Sequence, residues 1–250
     1  MRAFDAFSYH SFGATSQRCA SMGPASQTTA EAALSDDELS RADRIEEFYA
    51  SLRDKYEPGK PMWLTETADA ACGGNRWAST FLDSFRYLDQ LGRLSKRGVQ
   101  VHMHNTLASS DYGLLDDNTL MPRPNYWAAL LWHKLMGTTA LDPGLSTASS
   151  LHLYSHCLRG QPGGIALLAI NTDRSAPLSL DVAMAAERYS LSASSLHAAS
   201  VQLNGSELKL GADDAIPRLT GIPTGSGRRT LPPATIMFLA IPNANNANCH

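Results

Sequence analysis

The chain has 250 residues, of which 43% are hydrophobic and 18% are charged, and its formal net charge is −3 at pH 7. This composition suffices for one large domain or two smaller ones, and it argues against a disordered chain. No basic run stands out to track a phosphate backbone, which argues against a nucleic-acid partner, and no apolar stretch approaches the ~20 residues that a membrane-spanning helix needs.

The first half of the chain alternates between strand patterns and helix patterns. Ser35 and Glu38 form a capping box at the start of the first helix, and Pro58-Gly59 ends that helix. Strand, loop and helix follow one another repeatedly, which is typical of βα units around a parallel sheet, although only three of the eight units of a closed (β/α)8 barrel are present. The predicted elements are strand 4–12, helix 35–57, strand 62–65, helix 77–95, strand 99–105 and helix 125–136, which Gly137 closes.

The pattern changes to short alternating strands after about residue 145. The segment VQLNGSELKL places Asn204-Gly205 between two strand patterns, which is the strongest short signal for a β-hairpin. We therefore predict an antiparallel β-sandwich over residues 143–250, after an α/β domain over residues 1–142. The predicted strand segments are LHLYSHCL, GIALLAINT, PLSLDVA, RYSLSA, SVQL and IMFLAI.

A single carboxylate, that of Glu66, follows the short apolar strand in the segment PMWLTETADAACGG. His10 and Asn105 stand at the ends of the two neighbouring predicted strands. Because the loops after parallel strands converge on one open face, we expect these three side chains to face one cleft. A lone carboxylate at such a place is structural at least as often as it is chemical, since ion-pair networks also recruit acids.

No pattern in the sequence calls for a cofactor or a metal ion. His102 and His104 share one face of a strand, but no third ligand follows at a convincing spacing, and His152 and His156 have the same weakness. We therefore interpret these histidines as structural or surface residues. The segment GIPTGSGRRT is glycine-rich but lacks the lysine register and the strand-then-helix context of a phosphate-binding loop, so we interpret it as a plain loop.

One long stretch and several shorter segments share a pattern with a known family. They are KPMWLTETADAACGG, STFLDSFRYLDQLGRLSKRGVQVHMHNTLASSDYGLLDDNTLMPRPNYWAALLWHKLMGTTAL, FDAFSYHSFG, SVQLNGSELKL and ATIMFLAI. On these segments the chain resembles the C-terminal half of glycoside hydrolase family 79, the heparanase and β-glucuronidase family. The resemblance implies the last three βα units of a (β/α)8 barrel followed by the β-sandwich of the family. It also implies a retaining hydrolase that acts on glycans with β-linked uronic acids.

The resemblance assigns roles to four residues. Glu66 matches the glutamate of the family motif W-L-x-E-T, which is the nucleophile. His10 matches a histidine that lines the sugar subsite, and Asn105 stands where the family has Gln or Asn at the end of the last barrel strand. Tyr112 matches a family tyrosine that contacts the substrate carboxylate. The resemblance thus implies a catalytic Glu66 and a substrate-binding set of His10, Asn105 and Tyr112.

The sequence also departs from the family pattern. Ser110 replaces a glycine whose backbone approaches the uronate, and Phe12 stands where the family typically has tyrosine. The family's acid/base glutamate follows an asparagine on an earlier barrel strand, but the 250 residues contain no Asn-Glu pair. We therefore expect a truncated chain that lacks the first part of the barrel and hydrolyses little or nothing by itself. Whether a second chain supplies the missing barrel half stays open.

Two other interpretations stay open beside the truncated glycosidase. The first is a non-catalytic carbohydrate-binding or interaction fragment, which the missing acid and the changes at Phe12 and Ser110 favour. The second is a chain that does not fold stably, because an open barrel remnant would expose unpaired strand edges and apolar helix faces.

The four cysteines also gain an interpretation from the resemblance. Cys157 and Cys249 match a bridge of the sandwich domain, and Cys19 and Cys72 lie in loops after neighbouring strands, so that they could also pair. Four unpaired thiols are the alternative. Bridges imply an oxidising compartment, either the periplasm or the exterior. The N-terminal residues lack a signal-peptide pattern, so we expect the targeting signal on a missing part of the protein.

Overall fold

A computed structural model of the protein describes residues 4–22, 27–144 and 149–250. Its first part contains a three-stranded parallel sheet with helices beside it, and its second part is built around an eight-stranded antiparallel sheet. Within the described residues, no helix is long and apolar enough to cross a membrane.

The parallel sheet has the strand order β1-β2-β3, and both pairs of neighbouring strands run parallel. Each strand leads into a helical segment, as the repeated strand–helix pattern predicts. The elements of this part are β1 (Phe7–His10), α1 (Asp36–Leu39), α2 (Arg41–Tyr56), β2 (Met62–Thr67), α3 (Phe81–Lys96), β3 (Val99–His104) and α4 (Pro124–Leu135).

The helix ends follow local capping chemistry. The Ser35 hydroxyl accepts a hydrogen bond from the Glu38 backbone N–H at 3.3 Å, which confirms the predicted N-cap. The predicted single helix is nevertheless divided at Ser40 into α1 and α2. Helix α3 begins at Phe81 and not at residue 77, because residues 76–79 form a separate 3₁₀ turn.

The antiparallel sheet has the order β10-β9-β8-β13-β6-β5-β4, with β11 paired to β8, and β7 and β12 form a separate two-stranded ribbon. The predicted Asn204-Gly205 turn joins β9 to β10, and both residues have the positive φ that such a turn requires. The strands are β4 (Met136–Leu141), β5 (Leu151–Leu158), β6 (Ile165–Asn171), β7 (Leu178–Val182), β8 (Ala186–Ser192), β9 (Gln202–Leu203), β10 (Ser206–Glu207), β11 (Ile222–Thr224), β12 (Gly227–Leu231) and β13 (Thr235–Ile241).

Two predictions are wrong, one about the single glycine Gly137 and one about a glycine-rich segment. Gly137 does not close a helix but lies in β4, where a Cβ atom would stand 2.5 Å from the carbonyl oxygen of Cys157. The glycine therefore allows β4 to approach β5 closely. The segment GIPTGSGRRT is not a plain loop, because it contains all of β11 and most of β12. Its strands form by pairing with β8 and β7, which are distant in sequence, so local composition did not predict them.

Both faces of the large sheet are covered. Ala166, Leu168 and Ile170 of β6 face the core formed with helices α3 and α4, whereas Leu167 and Ala169 face the ribbon of β7 and β12. Successive side chains of a strand point to opposite faces. The double cover therefore explains why β6 and β13 are apolar at almost every position and do not alternate with polar residues.

A buried polar cluster attaches helix α3 to the large sheet. The Asp89 carboxylate accepts hydrogen bonds from His152 Nδ1 and from the Tyr154 hydroxyl, each at 2.5 Å, and from Arg93 Nε at 2.6 Å. Burial opposes ionisation of Asp89, but the hydrogen bond from His152 and the charges of His152 and Arg93 hold its pKa below the usual range. Gly92 of α3 lies directly against the Tyr154 ring of this cluster. A Cβ atom at this position would overlap the ring, so only glycine allows this close approach.

Candidate active site

An irregularity in strand β2 decides where Glu66 points. Met62, Leu64 and Thr67 are buried, and the Thr67 hydroxyl accepts a hydrogen bond from Gln90 Nε2 of α3 at 3.1 Å. The pairing of β2 with β3 shifts register between Leu64 and Thr67, which inserts one extra residue. Strict alternation from Leu64 would have turned Glu66 toward the helices. Instead its side chain is 38% exposed.

The four predicted site residues lie together, with His10, Asn105 and Tyr112 grouped beside the Glu66 carboxylate. His10 Nδ1 is 3.3 Å from Glu66 Oε2, and the Asn105 side-chain amide donates to Glu66 Oε1 at 3.4 Å. The same amide is 3.5 Å from the Tyr112 hydroxyl. The His10 side chain is 60% exposed. The carboxylate is therefore reachable from solvent and is flanked by an imidazole, an amide and, one contact further, a phenol.

Both predicted disulfides are present. Cys19 and Cys72 join the loop after β1 to the loop after β2, with their Cα atoms 6.3 Å apart. Cys157 of β5 is bonded to Cys249 near the C-terminus, with a Cα–Cα distance of 5.2 Å. The first bridge thus joins the loops that follow the strands of His10 and Glu66, whereas the second belongs to the antiparallel part of the chain.

The Tyr112 ring packs closely against the backbone of Gly74. Gly74 has φ +79°, and a Cβ atom there would stand 2.9 Å from both Tyr112 Cδ1 and Asp69 Oδ1. The Phe12 ring centroid is 6.3 Å from that of Tyr112. Ser110, at the position where the resemblance places a glycine, has φ +62°, a conformation that favours glycine. The serine therefore keeps the backbone conformation that a glycine would adopt more easily.

Arg123 and His104 hold the backbone around Tyr112. The Arg123 guanidinium donates to the carbonyl oxygens of Ser110 at 2.6 Å and Asp111 at 3.0 Å, and it also pairs with Asp116 at 3.1 Å. His104 Nε2 donates to the Tyr112 carbonyl oxygen at 2.7 Å. Burial, with the nearby Arg86 charge, lowers the pKa of His104 to about 4, so the imidazole is neutral near pH 7.

A second polar layer lies between the sheet and helix α3. Arg86 binds Asp83 through two nitrogens, at 2.5 Å and 2.9 Å, and donates to Gln90 Oε1 at 2.8 Å. Gln90 in turn holds Thr67, the residue after Glu66, and contacts His102 Nε2 at 3.3 Å. This layer holds the end of β2 on the side of the sheet that faces α3. Glu66 points to the opposite, open face.

Asp69 is a buried acid three residues after Glu66. It accepts hydrogen bonds from the backbone N–H and the side-chain amide of Asn75, at 3.0 Å and 3.1 Å, whereas its Oδ1 atom has no partner. Burial, together with the neighbouring Asp83 carboxylate, raises the pKa of Asp69 to about 7.

The histidine pairs occupy structural positions. His102 and His104 bind Gln90 and the Tyr112 backbone, and His152 and His156 bind Asp89 and the Gly137 carbonyl oxygen. Over the part of the chain that the structure describes, no group of three or more His, Cys, Asp and Glu residues could hold a metal ion. The interpretation of these histidines as structural residues agrees with these contacts.

No local pattern indicated several of the residues that support the site. Nothing in the sequence indicated that Gly74 makes room for Tyr112. Arg123 and Asp69 were missed, because each acts on a loop that is distant or irregular and neither belongs to a motif. The register shift before Thr67 was also missed, since it depends on pairing with β3 and not on the composition of β2.

The fold is of the kind found in glycoside hydrolases of known structure. The chain superposes on the crystal structure of a 4-O-α-L-rhamnosyl-β-D-glucuronidase from Fusarium oxysporum with a TM-score of 0.66 and 13% sequence identity, and the match covers 94% of this chain and 53% of the other. At this identity the likeness concerns the fold alone.

In sequence, the chain is similar to heparanases and β-glucuronidases, as the motifs predict, and that resemblance is confirmed. Heparanase of Bos taurus is 33% identical over 213 residues, which are 78% of this chain and 39% of the relative. Baicalin-β-D-glucuronidase of Scutellaria baicalensis is 32% identical over 189 residues, which are 72% of this chain and 36% of the relative. Inactive heparanase-2 of Homo sapiens is 30% identical over 222 residues, 78% of this chain and 37% of the relative.

The chain therefore spans well under half the length of each of these relatives. No protein-family model matches it.

Proposed function

We propose that this chain provides the nucleophile half of a retaining glycosidase site that acts on β-linked uronic-acid glycans. In this proposal Glu66 attacks the anomeric carbon, and His10, Asn105 and Tyr112 bind the sugar. The barrel interpretation of the parallel sheet, with a domain boundary near residue 142, belongs to the same proposal. The observation that carries it is the solvent-accessible Glu66 carboxylate, held within hydrogen-bond reach of His10 and Asn105 at the end of a parallel strand.

The geometry suits an ionised nucleophile. Asn105 donates to one carboxylate oxygen, which orients the group, while the other oxygen faces His10 and the solvent. The Gln90 and Thr67 contacts fix the strand behind it, so the carboxylate is held in place before a substrate binds. Such preorganisation is what covalent catalysis by a carboxylate requires.

The second carboxyl group of the mechanism is proposed to come from outside these residues. A retaining glycosidase needs a protonated carboxyl group about 5 to 5.5 Å from the nucleophile to protonate the leaving oxygen. The sequence has no Asn-Glu pair, the pattern that the resemblance assigns to that acid. We therefore expect little hydrolysis of ordinary glycosides by this chain alone, and activity only when another polypeptide segment completes the site.

The nucleophile is testable without the acid. A 2,4-dinitrophenyl 2-deoxy-2-fluoro-β-glucuronide carries a leaving group that departs without protonation, so only a nucleophile is needed for the covalent step. Incubation of the folded chain should add one fluoroglucuronyl group to the peptide that contains Glu66, as read by mass spectrometry. Glu66→Gln should abolish this labelling, and Glu47→Gln, at an exposed glutamate of helix α2, should leave it unchanged.

Two results would refute the nucleophile assignment. One is labelling that persists in Glu66→Gln, and the other is a folded wild-type chain that stays unlabelled while it binds glucuronide.

A carbohydrate-binding protein without catalysis is the second candidate function. It is favoured by the absence of an Asn-Glu pair and by Phe12, which places no hydroxyl beside Tyr112. Calorimetry with glucuronide oligosaccharides separates the two functions when it is combined with the labelling experiment. Binding without labelling supports the second function, and binding with labelling supports the first. A folded chain that shows neither contradicts both.

We also propose that the protein works in an oxidising compartment outside the cytoplasm. Two disulfides use all four cysteines, a pattern that reducing cytosol disfavours. Alkylation of the protein in extracts of its source cells, before any reduction, should leave all four cysteines unmodified. Complete alkylation at that step would contradict the proposal.

A further inference from the structure

One disulfide connects the two loops that begin at the candidate site. The loop after β1 follows His10 and reaches Cys19, and the loop after β2 follows Thr67, the neighbour of Glu66, and reaches Cys72. Cys72 has φ +66°, a left-handed backbone conformation that is uncommon for residues other than glycine. The bridge thus holds the second loop in a conformation that its local sequence does not favour.

The other contacts between these loops are few. Ser16 N donates to the Ala71 carbonyl oxygen, and Ala71 N donates to that of Ala14, both at 3.0 Å. The Ser16 hydroxyl adds a bond of 2.8 Å to the Gly74 carbonyl oxygen. Arg18 Nη1 adds a longer bond of 3.4 Å to the Gly73 carbonyl oxygen. Without the bridge, the two loops would therefore depend on a short ladder and two side-chain bonds.

A charged pair extends the connection to the third site loop. Arg18, which precedes Cys19, pairs with Asp111, the neighbour of Tyr112. The Arg18 side chain is 47% exposed, and exposed ion pairs of this kind contribute little on their own. The pairing of β1 with β2 also places His10 beside Glu66, but β1 is a four-residue edge strand and its register shifts just before His10. The covalent bridge is therefore the strongest single constraint on the loops that follow this short pairing.

We propose that the Cys19–Cys72 disulfide is a positioning clamp that keeps His10 against Glu66, and that a dithiol reductant opens this clamp before it opens Cys157–Cys249. The importance of the His10–Glu66 contact rests on the proposed function. The clamp itself is tested below without any glycan, so that it can fail or hold independently of that function.

The order of reduction follows from access. Cys72 is exposed and its partner Cys19 is half-buried, whereas Cys157 is half-buried and its partner Cys249 is 3% exposed. A thiolate of the reductant attacks one sulfur of the bridge and forms a mixed disulfide, and the second thiolate of the reductant then displaces the remaining protein sulfur. The reductant ends as a cyclic disulfide, and the protein gains two thiols. Attack on the Cys249 sulfur requires local opening, and the Cys157 sulfur belongs to a half-buried residue, whereas the first bridge includes the exposed Cys72. The second bridge should therefore react more slowly.

The first test is the order of opening. The folded chain is treated with dithiothreitol for increasing times, quenched with an alkylating reagent and analysed by peptide mass spectrometry. Cys19 and Cys72 should be alkylated at least ten times faster than Cys157 and Cys249. Equal rates, or the reverse order, would overturn the second part of the proposal.

The second test measures the contact between His10 and Glu66. Glu66→Gln should shift the imidazole resonances of His10 in a histidine-labelled chain, since the two side chains are 3.3 Å apart. In a Cys19→Ser/Cys72→Ser background this shift should fall by at least half. In a Cys157→Ser/Cys249→Ser background it should be unchanged. A shift of equal size in both backgrounds would overturn the clamp.

Selective reduction keeps the second test valid if the Cys19→Ser/Cys72→Ser chain does not fold. The wild-type chain and the Glu66→Gln chain are then reduced and alkylated at Cys19 and Cys72 in the folded state, and circular dichroism verifies that the secondary structure is retained. The same loss of at least half of the His10 shift is expected. A shift that survives the opening of the bridge would contradict the clamp.

Discussion

Substitution of Gly92 by alanine is expected to destabilise the protein, although helix propensity alone predicts the opposite sign. In the interior of a helix, alanine is more favourable than glycine by about 1 kcal/mol. Here a Cβ atom would stand at most 2.5 Å from three carbon atoms of the Tyr154 ring. Carbon atoms pack at about 3.5 to 4.0 Å, so the helix or the ring must move by roughly 1 Å or more.

The ring has little freedom to move. Tyr154 is buried, and its hydroxyl donates to the Asp89 carboxylate at 2.5 Å. Overpacking of a core costs about 1 to 3 kcal/mol, and loss of a hydrogen bond to a charged group costs about 1.5 to 3 kcal/mol. After the gain in propensity, we expect Gly92→Ala to lower the free energy of unfolding by about 1.5 to 5 kcal/mol. At about 2 to 4 °C per kcal/mol for a chain of this size, Tm should fall by about 3 to 20 °C.

Urea unfolding followed by circular dichroism measures this effect, and a second background isolates its cause. In a Tyr154→Ala chain the overlap is gone, so Gly92→Ala should become stabilising by up to about 1 kcal/mol. A stabilising effect in the wild-type chain, or an equal loss of stability in both backgrounds, would refute the packing argument.

Three further predictions concern Asp69, the second disulfide and Arg123. The pKa of Asp69 is raised to about 7, so the stability that its protonated form provides at pH 4 is lost as the pH rises toward 7. Asp69→Asn should therefore gain stability relative to wild type between pH 4.5 and pH 7.5 in urea unfolding, and a constant difference would contradict this. Removal of the bridge in Cys157→Ser/Cys249→Ser should cost about 4 to 5 kcal/mol for a separation of 92 residues, read from the same assay. A cost below about 1 kcal/mol would show that strain in the native bridge or structure in the unfolded chain offsets the entropy. Arg123→Lys cannot reproduce the forked contacts to the loop after β3, so amide hydrogen exchange over residues 110–116 should accelerate about tenfold, and unchanged exchange would contradict that role.

Local signals in the sequence predicted those elements whose cause is itself local. The Ser35 cap depends on one hydroxyl and the backbone N–H three residues later, and it forms as predicted. The Asn204-Gly205 turn depends on two residues that tolerate positive φ, and it also forms as predicted. His10, Glu66 and Asn105 were found in the same way, because they stand at the ends of strand patterns that are visible in the sequence, whereas Tyr112 was found only through the family resemblance.

Features that depend on distant segments were decided by the tertiary structure alone. Strand β12 exists because β7 pairs with it, and Gly137 belongs to a strand because the Cys157 backbone lies against it. The direction of Glu66 was decided in the same way. Its sequence neighbours specify a strand, but only pairing with β3 and the Gln90 contact to Thr67 introduce the extra residue that turns the carboxylate to the open face. Composition and spacing thus determined which residues stand at the strand ends of the candidate site, whereas hydrogen bonding between distant strands determined where their side chains point.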